Sequence, residues 1–118
     1  IETMQDTLDM AMELNCEFAN FYSTMAYPGS KLYLDALREG WELPETYVGF
    51  SQHSYETHPL STKHISAAEV LGFRDEAFTK YYTSDRYLDM IEEKRGKATR
   101  QSIEDMTKIK LKRKLLGD

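Results

Sequence analysis

The sequence predicts a mainly α fold with one or two strands. Five stretches carry apolar residues at helical spacing, with capping signals at their ends. Residues 18–25 are instead rich in aromatic and small side chains, as is typical of a strand buried on both faces. The length of 118 residues allows one domain with a modest core, or a piece of a larger protein.

The first predicted helix covers residues 2–15 and leads directly into the predicted strand. Its apolar residues recur at helical spacing, and Asn15 lies where such a helix ends. A parallel strand needs neighbours, so this pair indicates a helix–strand unit whose earlier strand precedes Ile1. We therefore expect the true N-terminus to lie upstream. We also expect the orphan strand to pair with a second copy and form a homodimer.

A Tyr-Pro-Gly-Ser turn follows the predicted strand. Tyr27 favours extended geometry because it precedes proline, and Gly29 can adopt a positive φ. Ser30 is a good N-cap for the next helix. A strand, a glycine-containing turn and a capped helix together place ligands at the carboxyl end of a parallel strand. The turn is therefore the first candidate for a functional site.

The next helix is predicted at Lys31–Glu39, with Gly40 at its C-terminus. Its expected inward residues are Leu32, Tyr33, Ala36 and Leu37, on which Trp41 and Leu43 can pack. Residues 44–64 then follow neither the helical nor the strand period. A connection of this length is commonly functional or disordered, and its many aromatic residues favour an ordered, packed loop.

Three helices are predicted after this loop. The first begins with the capping box Ser66–Glu69 and contains Arg74 within its apolar stripe. Because a buried arginine needs a partner, we expect an ion pair with Asp75, Glu76 or an upstream carboxylate. Ser84 caps a second helix that ends at Gly96. The third is predicted at residues 98–116, with a solvated basic face formed by Lys108, Lys110, Lys112, Arg113 and Lys114.

Composition excludes several functional classes. The formal net charge of −5 argues against a nucleic-acid partner, and no stretch reaches the roughly 18 apolar residues of a membrane span. The single cysteine, Cys16, excludes an internal disulfide and any site built from several cysteines. We expect Cys16 to be a small buried hydrophobe, and its isolation suits a cytoplasmic protein.

The irregular loop contains the second group of candidate residues. They are Gln52, His53, Tyr55, Glu56 and His58, with His64 soon after. Histidine can transfer a proton near neutral pH, and tyrosine can donate a hydrogen bond to a substrate carboxylate. The three histidines lack the close spacing of metal ligands, so no metal site is predicted.

Four motifs resemble, in order and over essentially the whole chain, the C-terminal part of the cobalamin-binding radical SAM proteins. The motifs are Tyr27-Pro28-Gly29-Ser30-Lys31-Leu32-Tyr33, Glu39-Gly40-Trp41-Glu42-Leu43-Pro44, Ser51-Gln52-His53-Ser54-Tyr55-Glu56-Thr57 and Phe73-Arg74-Asp75-Glu76-Ala77-Phe78. The nearest subgroup looks like the anaerobic magnesium-protoporphyrin IX monomethyl ester oxidative cyclases. The Gln-His-Ser-Tyr-Glu-Thr run is the narrowest indicator, since proline-glycine turns are widespread in the superfamily.

The resemblance implies that residues 1–40 are the last helix–strand–helix piece of a partial (β/α) barrel. Residues 41–65 would then be an ordered loop, and residues 66–118 a helical C-terminal extension. It also implies a parent enzyme of bacteriochlorophyll biosynthesis that uses S-adenosylmethionine, a [4Fe-4S] cluster and cobalamin. The chain lacks both the Cys-x-x-x-Cys-x-x-Cys cluster motif and the Asp-x-His-x-x-Gly cobalamin motif. We therefore expect it to be inactive alone, to bind none of these cofactors and to depend on upstream domains of the same polypeptide.

Two sets of site residues follow from the resemblance. The adenosine-facing wall would be Ser23, Thr24, Met25, Ala26, Tyr27 and Pro28. Backbone groups at the strand end can bond an adenine edge, while the small side chains of Ser23 and Ala26 leave room for it. Gln52, His53 and Tyr55 would contact a hydrophobic or tetrapyrrole substrate. No catalytic residue is expected in this chain.

The residues also allow a second interpretation, in which the chain is a non-catalytic helical module that binds another protein. The helices after Ser66 would then hold the module together, and their apolar faces or basic tail would bind the partner. This interpretation is favoured if residues 66–118 fold alone and if the turn at residues 27–30 lies far from any cavity. Protection of residues 18–33 in limited proteolysis instead supports the barrel interpretation.

Overall fold

The computed structural model describes residues 2–61 and 64–118. Within these ranges the chain forms five α-helices and two 3₁₀ turns, and it contains no β-strand. The helices are α1 (Glu2–Leu14), α2 (Lys31–Glu39), α3 (Ala67–Thr83), α4 (Asp85–Arg95) and α5 (Lys97–Thr107), and the 3₁₀ turns are Tyr47–Phe50 and Lys114–Leu116. The mainly α prediction is confirmed. None of the described helices is long and apolar enough to cross a membrane.

The chain divides into two compact units, each built from two segments. Unit 1 contains Ile1–Phe21 and Asp75–Lys110, and unit 2 contains Tyr22–Arg74 and Leu111–Asp118. The division falls inside α3. These units cut across the predicted ranges 1–40, 41–65 and 66–118. Those ranges follow from the family resemblance, and they stay a prediction.

Unit 1 is built around three tyrosines. Tyr81, Tyr82 and Tyr87 are almost fully buried, and their rings meet at centroid distances of 5.0 to 5.1 Å. Leu88 and Ile91 of α4 complete the buried cluster. The partly buried residues packed against it include α1 residues, as the helical spacing predicted, and are Ala11, Met12, Ala19, Phe21, Phe78, Met90 and Ile103. The core of unit 1 therefore draws on residues before and after Ser66, and the helical-module interpretation stays a prediction.

The hydroxyl groups of the three tyrosines bind the backbone that follows α1. Tyr81 donates to the carbonyl of Cys16, and Tyr87 donates to that of Glu17 over 2.8 Å. Tyr82 bonds both backbone groups of Ala19, accepting from its N–H at 3.0 Å and donating to its carbonyl at 2.7 Å. Burying a hydroxyl without a hydrogen-bond partner costs free energy. These bonds supply that partner, so the three tyrosine rings can be buried with their hydroxyl groups satisfied.

The predicted strand at residues 18–25 is wrong, since these residues form no regular secondary structure. A strand is stable only beside a neighbour, and the backbone here is bonded by side chains instead. Tyr82 bonds Ala19, and Gln52 bonds Ser23. The expected homodimer therefore loses the orphan strand on which it depended. Cys16, expected to be buried, is exposed.

The two helices of the α4–α5 pair are joined by Arg100. Its guanidinium bonds Asp89 and Glu92 of α4, each over 2.9 Å, and Glu104 of its own helix over 3.2 Å. Ser84 caps α4 by accepting from the N–H of Tyr87, as predicted. This network fixes α4 against α5 through charge-assisted hydrogen bonds.

The last predicted helix is correct in its first half only, because α5 ends at Thr107. The basic run that follows would place Lys108 beside Lys112, and Lys110 beside Lys114, at helical spacing of four residues. Like charges at that spacing destabilise a helix. The run instead continues without regular structure to the 3₁₀ turn, and Ile109 is 75% exposed rather than inward.

Unit 2 has a smaller apolar core around α2. Ala26, Ala36 and Leu60 are buried together, and the partly buried residues packed on them are Leu32, Tyr33 and Leu43. Gly40 ends α2 in the left-handed region, while its N–H and that of Trp41 both donate to the carbonyl of Ala36. These features confirm the predicted helix. Leu37 and Trp41, expected to pack inward, are largely exposed.

We predict that Tyr82→Phe lowers the free energy of unfolding by about 1–2 kcal/mol, because both backbone groups of Ala19 lose their partner. Urea denaturation measures this. Tyr47→Phe is the matched control, since Tyr47 is 83% exposed. Equal stability of the two variants would contradict a structural role for the Tyr82 hydroxyl.

Stability should also fall in alkali. Burial, with the neighbouring Tyr82 and Tyr81, raises the pKa of Tyr87 to about 12. A raised folded-state pKa means that the unfolded state loses its proton first as the pH rises. The stabilising contribution is therefore complete below pH 10 and lost between pH 10 and about pH 12. Urea midpoints across this range should fall less steeply for Tyr87→Phe than for the unaltered chain, whereas parallel curves would be evidence against it.

Candidate functional site

The Gln52 side chain joins the two groups of predicted site residues. Its Oε1 accepts from the N–H of Ser23 at 3.0 Å, and its Nε2 donates to the carbonyl of the same residue at 2.9 Å. A primary amide has a carbonyl acceptor and an NH₂ donor group, and a peptide group likewise has an acceptor and a donor. The Gln52 side chain therefore makes the two hydrogen bonds that a neighbouring strand would otherwise make to Ser23. Its Nε2 also lies 3.1 Å from the Tyr27 hydroxyl. One residue of the loop thus contacts the predicted adenosine-facing wall.

The turn after this wall has the predicted geometry. The N–H of Ser30 donates to the carbonyl of Tyr27 over 3.1 Å, and Gly29 has φ +88°. The Ser30 hydroxyl accepts from the N–H of Tyr33, which confirms the N-cap of α2. The ring of Tyr27 lies 6.2 Å from that of Phe50 in the 3₁₀ turn. The turn is therefore held to the loop by a ring contact as well as by Gln52.

The six wall residues divide by exposure. Ser23, Met25 and Ala26 are buried, and the space beside Ala26 is filled by core side chains rather than left open. Thr24, Tyr27 and Pro28 are exposed. The backbone of Ser23, expected to face adenine, is bonded to Gln52, and the carbonyl of Thr24 accepts from Leu60 over 2.9 Å. The role of these six residues stays a prediction.

Buried polar groups contribute to the order of the loop, in addition to the ring contact of Phe50. Thr57 is 1% exposed, and its hydroxyl lies within hydrogen-bond distance of the carbonyls of Ser51 and Ser54. Arg113 is fully buried and donates to that hydroxyl and to two loop carbonyls. The aromatic residues Tyr47 and Tyr55 are exposed by contrast.

Arg113 corrects the prediction of a wholly solvated basic tail. Helical periodicity gave no indication of its burial, because the helix on which it was expected to lie ends six residues earlier. Thr57 was likewise absent from the predicted site residues. Two-residue alternation gives no signal either, because Ile109 and Leu111 at the same spacing are exposed whereas Arg113 is buried.

His53 contacts Arg74, the arginine of the α3 stripe. His53 Nε2 lies 3.3 Å from Arg74 Nη2, and a guanidinium only donates, so Nε2 is the unprotonated acceptor in this arrangement. Arg74 is 7% exposed, which agrees with its predicted place in the stripe. The ring of Tyr22 stands edge-on to His53 at 6.4 Å. The predicted ion pair between Arg74 and a carboxylate stays a prediction.

The remaining loop candidates contact residues other than those that Gln52 contacts. Tyr55 donates its hydroxyl to the carbonyl of Asp118 over 2.9 Å rather than offering it to a ligand. The His58 Nε2 atom is buried, 3.8 Å from the nearest Glu42 carboxylate oxygen. Glu56 and His64 are exposed. The loop therefore brings Gln52 and His53 to other predicted residues, whereas it commits Tyr55 to the C-terminus.

Among the described residues, one group of the predicted wall could take part in binding S-adenosylmethionine. The Ser23 hydroxyl is buried without a hydrogen-bond partner among them. No three His, Cys, Asp or Glu side chains in residues 2–61 and 64–118 are grouped to hold a metal ion. The one cysteine does not meet the three that the cluster motif requires.

A separate apolar cavity of about 370 Å³ lies in unit 1. Aromatic and aliphatic side chains of α3, α4 and α5 form most of its wall, with Phe18 at one side. Arg95, which also lines it, pairs with Glu17 over 2.7 Å, and this bond lowers the pKa of the Glu17 carboxyl. The cavity contains none of the predicted site residues.

Comparison with known proteins gives no neighbour. The chain matches no family model, no curated protein and no solved structure.

We predict that Gln52→Ala speeds hydrogen exchange of the Ser23 amide by about tenfold, because that N–H loses its acceptor. Gln52→Glu retains an acceptor and should leave this amide protected, although it loses the bond to the Ser23 carbonyl. The Tyr27 hydroxyl can still donate to the new carboxylate. Exchange followed by NMR measures both. Gln101→Ala, which removes an exposed amide in α5, is the control. Unchanged exchange in Gln52→Ala would disprove the pairing.

Proposed function

We propose that this chain is the C-terminal part of a cytoplasmic, cobalamin-dependent radical SAM oxidoreductase. The proposed reaction class is that of the magnesium-protoporphyrin IX monomethyl ester oxidative cyclases of bacteriochlorophyll biosynthesis. The proposal rests on the four motifs and their order along the chain. The structural observation that supports it best is the Gln52 amide, which bonds the backbone of Ser23 and the hydroxyl of Tyr27.

In this proposal the chain supplies one wall and a cap to a site completed by upstream domains. Thr24, Tyr27 and Pro28 are the exposed members of the wall, and the buried Ser23 hydroxyl still has a hydrogen-bonding capacity to fill. The loop that carries Gln52 and His53 lies against this wall through the bonds described above. Such a loop excludes water and orients a bound molecule, which are the tasks of a cap.

The chemistry itself comes from groups outside this chain. When bound to the complete enzyme, the cluster and S-adenosylmethionine together supply the radical that abstracts hydrogen from the substrate. The role of this chain is to hold the wall and the cap in place. His53, whose Nε2 accepts from Arg74, is oriented by that contact and is the candidate for meeting the substrate. No step of bond making is assigned to a residue of this chain.

The test is activity of the complete polypeptide. After reconstitution with iron, sulfide and cobalamin, and with a low-potential reductant added to supply the electron, we expect a [4Fe-4S] absorption spectrum and reductive cleavage of S-adenosylmethionine to methionine and 5′-deoxyadenosine, with consumption of magnesium-protoporphyrin IX monomethyl ester. We further expect Gln52→Ala to slow this consumption by about tenfold or more, because cap and wall separate. Gln101→Ala should leave it unchanged. A complete polypeptide that neither binds a cluster nor cleaves S-adenosylmethionine overturns the proposal.

A further inference from the structure

Arg113 is the one fully buried cation of the basic run at the C-terminus. Its side chain is 0% exposed, whereas Lys112 and Lys114 on either side are exposed. A charged group enters the interior only when the structure supplies it with hydrogen-bond partners. The burial of Arg113 therefore indicates that its side chain makes specific hydrogen bonds, whereas its exposed neighbours contribute only positive charge to the surface.

The described partners of the guanidinium lie in one segment of the loop. Arg113 Nη1 lies 2.9 Å from each of three acceptors, which are the Gln52 carbonyl, the Ser54 carbonyl and the Thr57 hydroxyl. This nitrogen carries two hydrogens, so at least one of them is shared. Hydrogen bonds from a charged donor are stronger than neutral ones. A single nitrogen atom thus fixes the distances between residues 52, 54 and 57.

Residues 113–118 hold the same segment through further contacts. The N–H of Lys114 donates to the Tyr55 carbonyl over 2.9 Å, and the Tyr55 hydroxyl donates to the carbonyl of Asp118. The N–H of Arg113 donates to the Asp118 carboxylate over 3.0 Å. The end of the chain is therefore folded on itself by Asp118 and bonded to the loop from two sides.

Gln52 connects this anchor to the predicted wall. Its main-chain carbonyl accepts from Arg113, while its side-chain amide bonds Ser23 and Tyr27. The two ends of one residue are thus held by the C-terminus and by the wall. A small movement of the Gln52 backbone would displace its side chain and misalign the two hydrogen bonds to Ser23. These bonds would then weaken, because the strength of a hydrogen bond falls steeply with misalignment.

We propose that Arg113 is a positioning residue, which acts through Gln52 to set the distance between the cap loop and the wall at residues 23–28. Its effect on catalysis rests on the proposed function, whereas its effect on the loop does not. Lysine should replace it only in part, because an ammonium is more strongly hydrated than a guanidinium and is therefore less favourable to bury. Removing Arg113 leaves two carbonyls and a buried hydroxyl without their common donor.

The first test uses this chain and needs no cofactor. We expect Arg113→Ala to speed hydrogen exchange of the Ser23 amide by about tenfold, although Arg113 does not touch Ser23. Arg113→Lys should show a smaller increase, and Lys112→Ala, which removes an exposed neighbouring cation, should show none. A Ser23 exchange rate in Arg113→Ala equal to that in Lys112→Ala overturns the proposal.

A milder variant decides the matter if Arg113→Ala does not fold. Asp118→Asn weakens the bond to the Arg113 N–H without removing the guanidinium. It should speed exchange of the Ser23 amide by about twofold to fivefold and leave the amides of α4 unaffected. Uniform acceleration in α4 and at Ser23 would mean general destabilisation and would count against positioning.

The second test uses the complete polypeptide. Arg113→Lys should raise the KM for magnesium-protoporphyrin IX monomethyl ester by about fivefold to tenfold, because the cap is less well placed. Formation of 5′-deoxyadenosine without this substrate should stay unchanged. An unchanged KM despite faster Ser23 exchange would refute the catalytic consequence. Failure of the unaltered polypeptide to turn over would instead refute the proposed function, and the exchange test would still stand.

Discussion

The backbone between α1 and the Tyr-Pro-Gly turn has to find hydrogen-bond partners without a neighbouring strand, and each unit depends on how it does so. In unit 1 the hydroxyls of Tyr81, Tyr82 and Tyr87 bond residues 16–19. In unit 2 the amide of Gln52 bonds both backbone groups of Ser23. Buried backbone groups without partners cost roughly 1–3 kcal/mol each, so these side chains are structural requirements.

The same constraint explains why polar residues occupy the interior of unit 2. Its apolar core around Ala36 is small, and several apolar side chains of the loop that follows, among them Tyr47, Val48 and Tyr55, are exposed. Thr57 and Arg113 supply donors and acceptors that a strand or helix would otherwise provide. Hydrogen bonds of buried polar groups thus stabilise this loop. Unit 1 is stabilised by aromatic packing together with hydrogen bonds.

For function, the consequence is that the wall and the loop are placed by shared partners. Gln52 belongs to the run that resembles the oxidative cyclases most narrowly, and it is also the residue that bonds the wall. Tyr55, from the same run, is committed to Asp118, which leaves His53 as the better candidate for substrate contact. The chain carries one cysteine, so the chemistry of a cluster belongs to other parts of the proposed enzyme.

Local signals in the sequence determined the first four helices. Ser30, Ser66 and Ser84 each accept from a backbone N–H of the helix that they cap, and Gly40 adopts the predicted left-handed conformation. These features depend on residues within one or two turns of each other, which is why spacing and capping chemistry suffice to predict them. The turn at Gly29 was predictable for the same reason.

Tertiary structure alone decided the strand, the end of α5 and the partners of the buried polar groups. Whether residues 18–25 form a strand depends on a neighbour that the local sequence does not specify. The pairs Gln52–Ser23 and Arg113–Thr57 join residues that are 29 and 56 positions apart. Such contacts follow from the fold as a whole, since no periodicity or capping motif records which distant donor meets which acceptor. The turn chemistry, the irregular loop and the resemblance predicted two stretches of a candidate site, and the bonds of Gln52 to Ser23 and Tyr27 join these stretches.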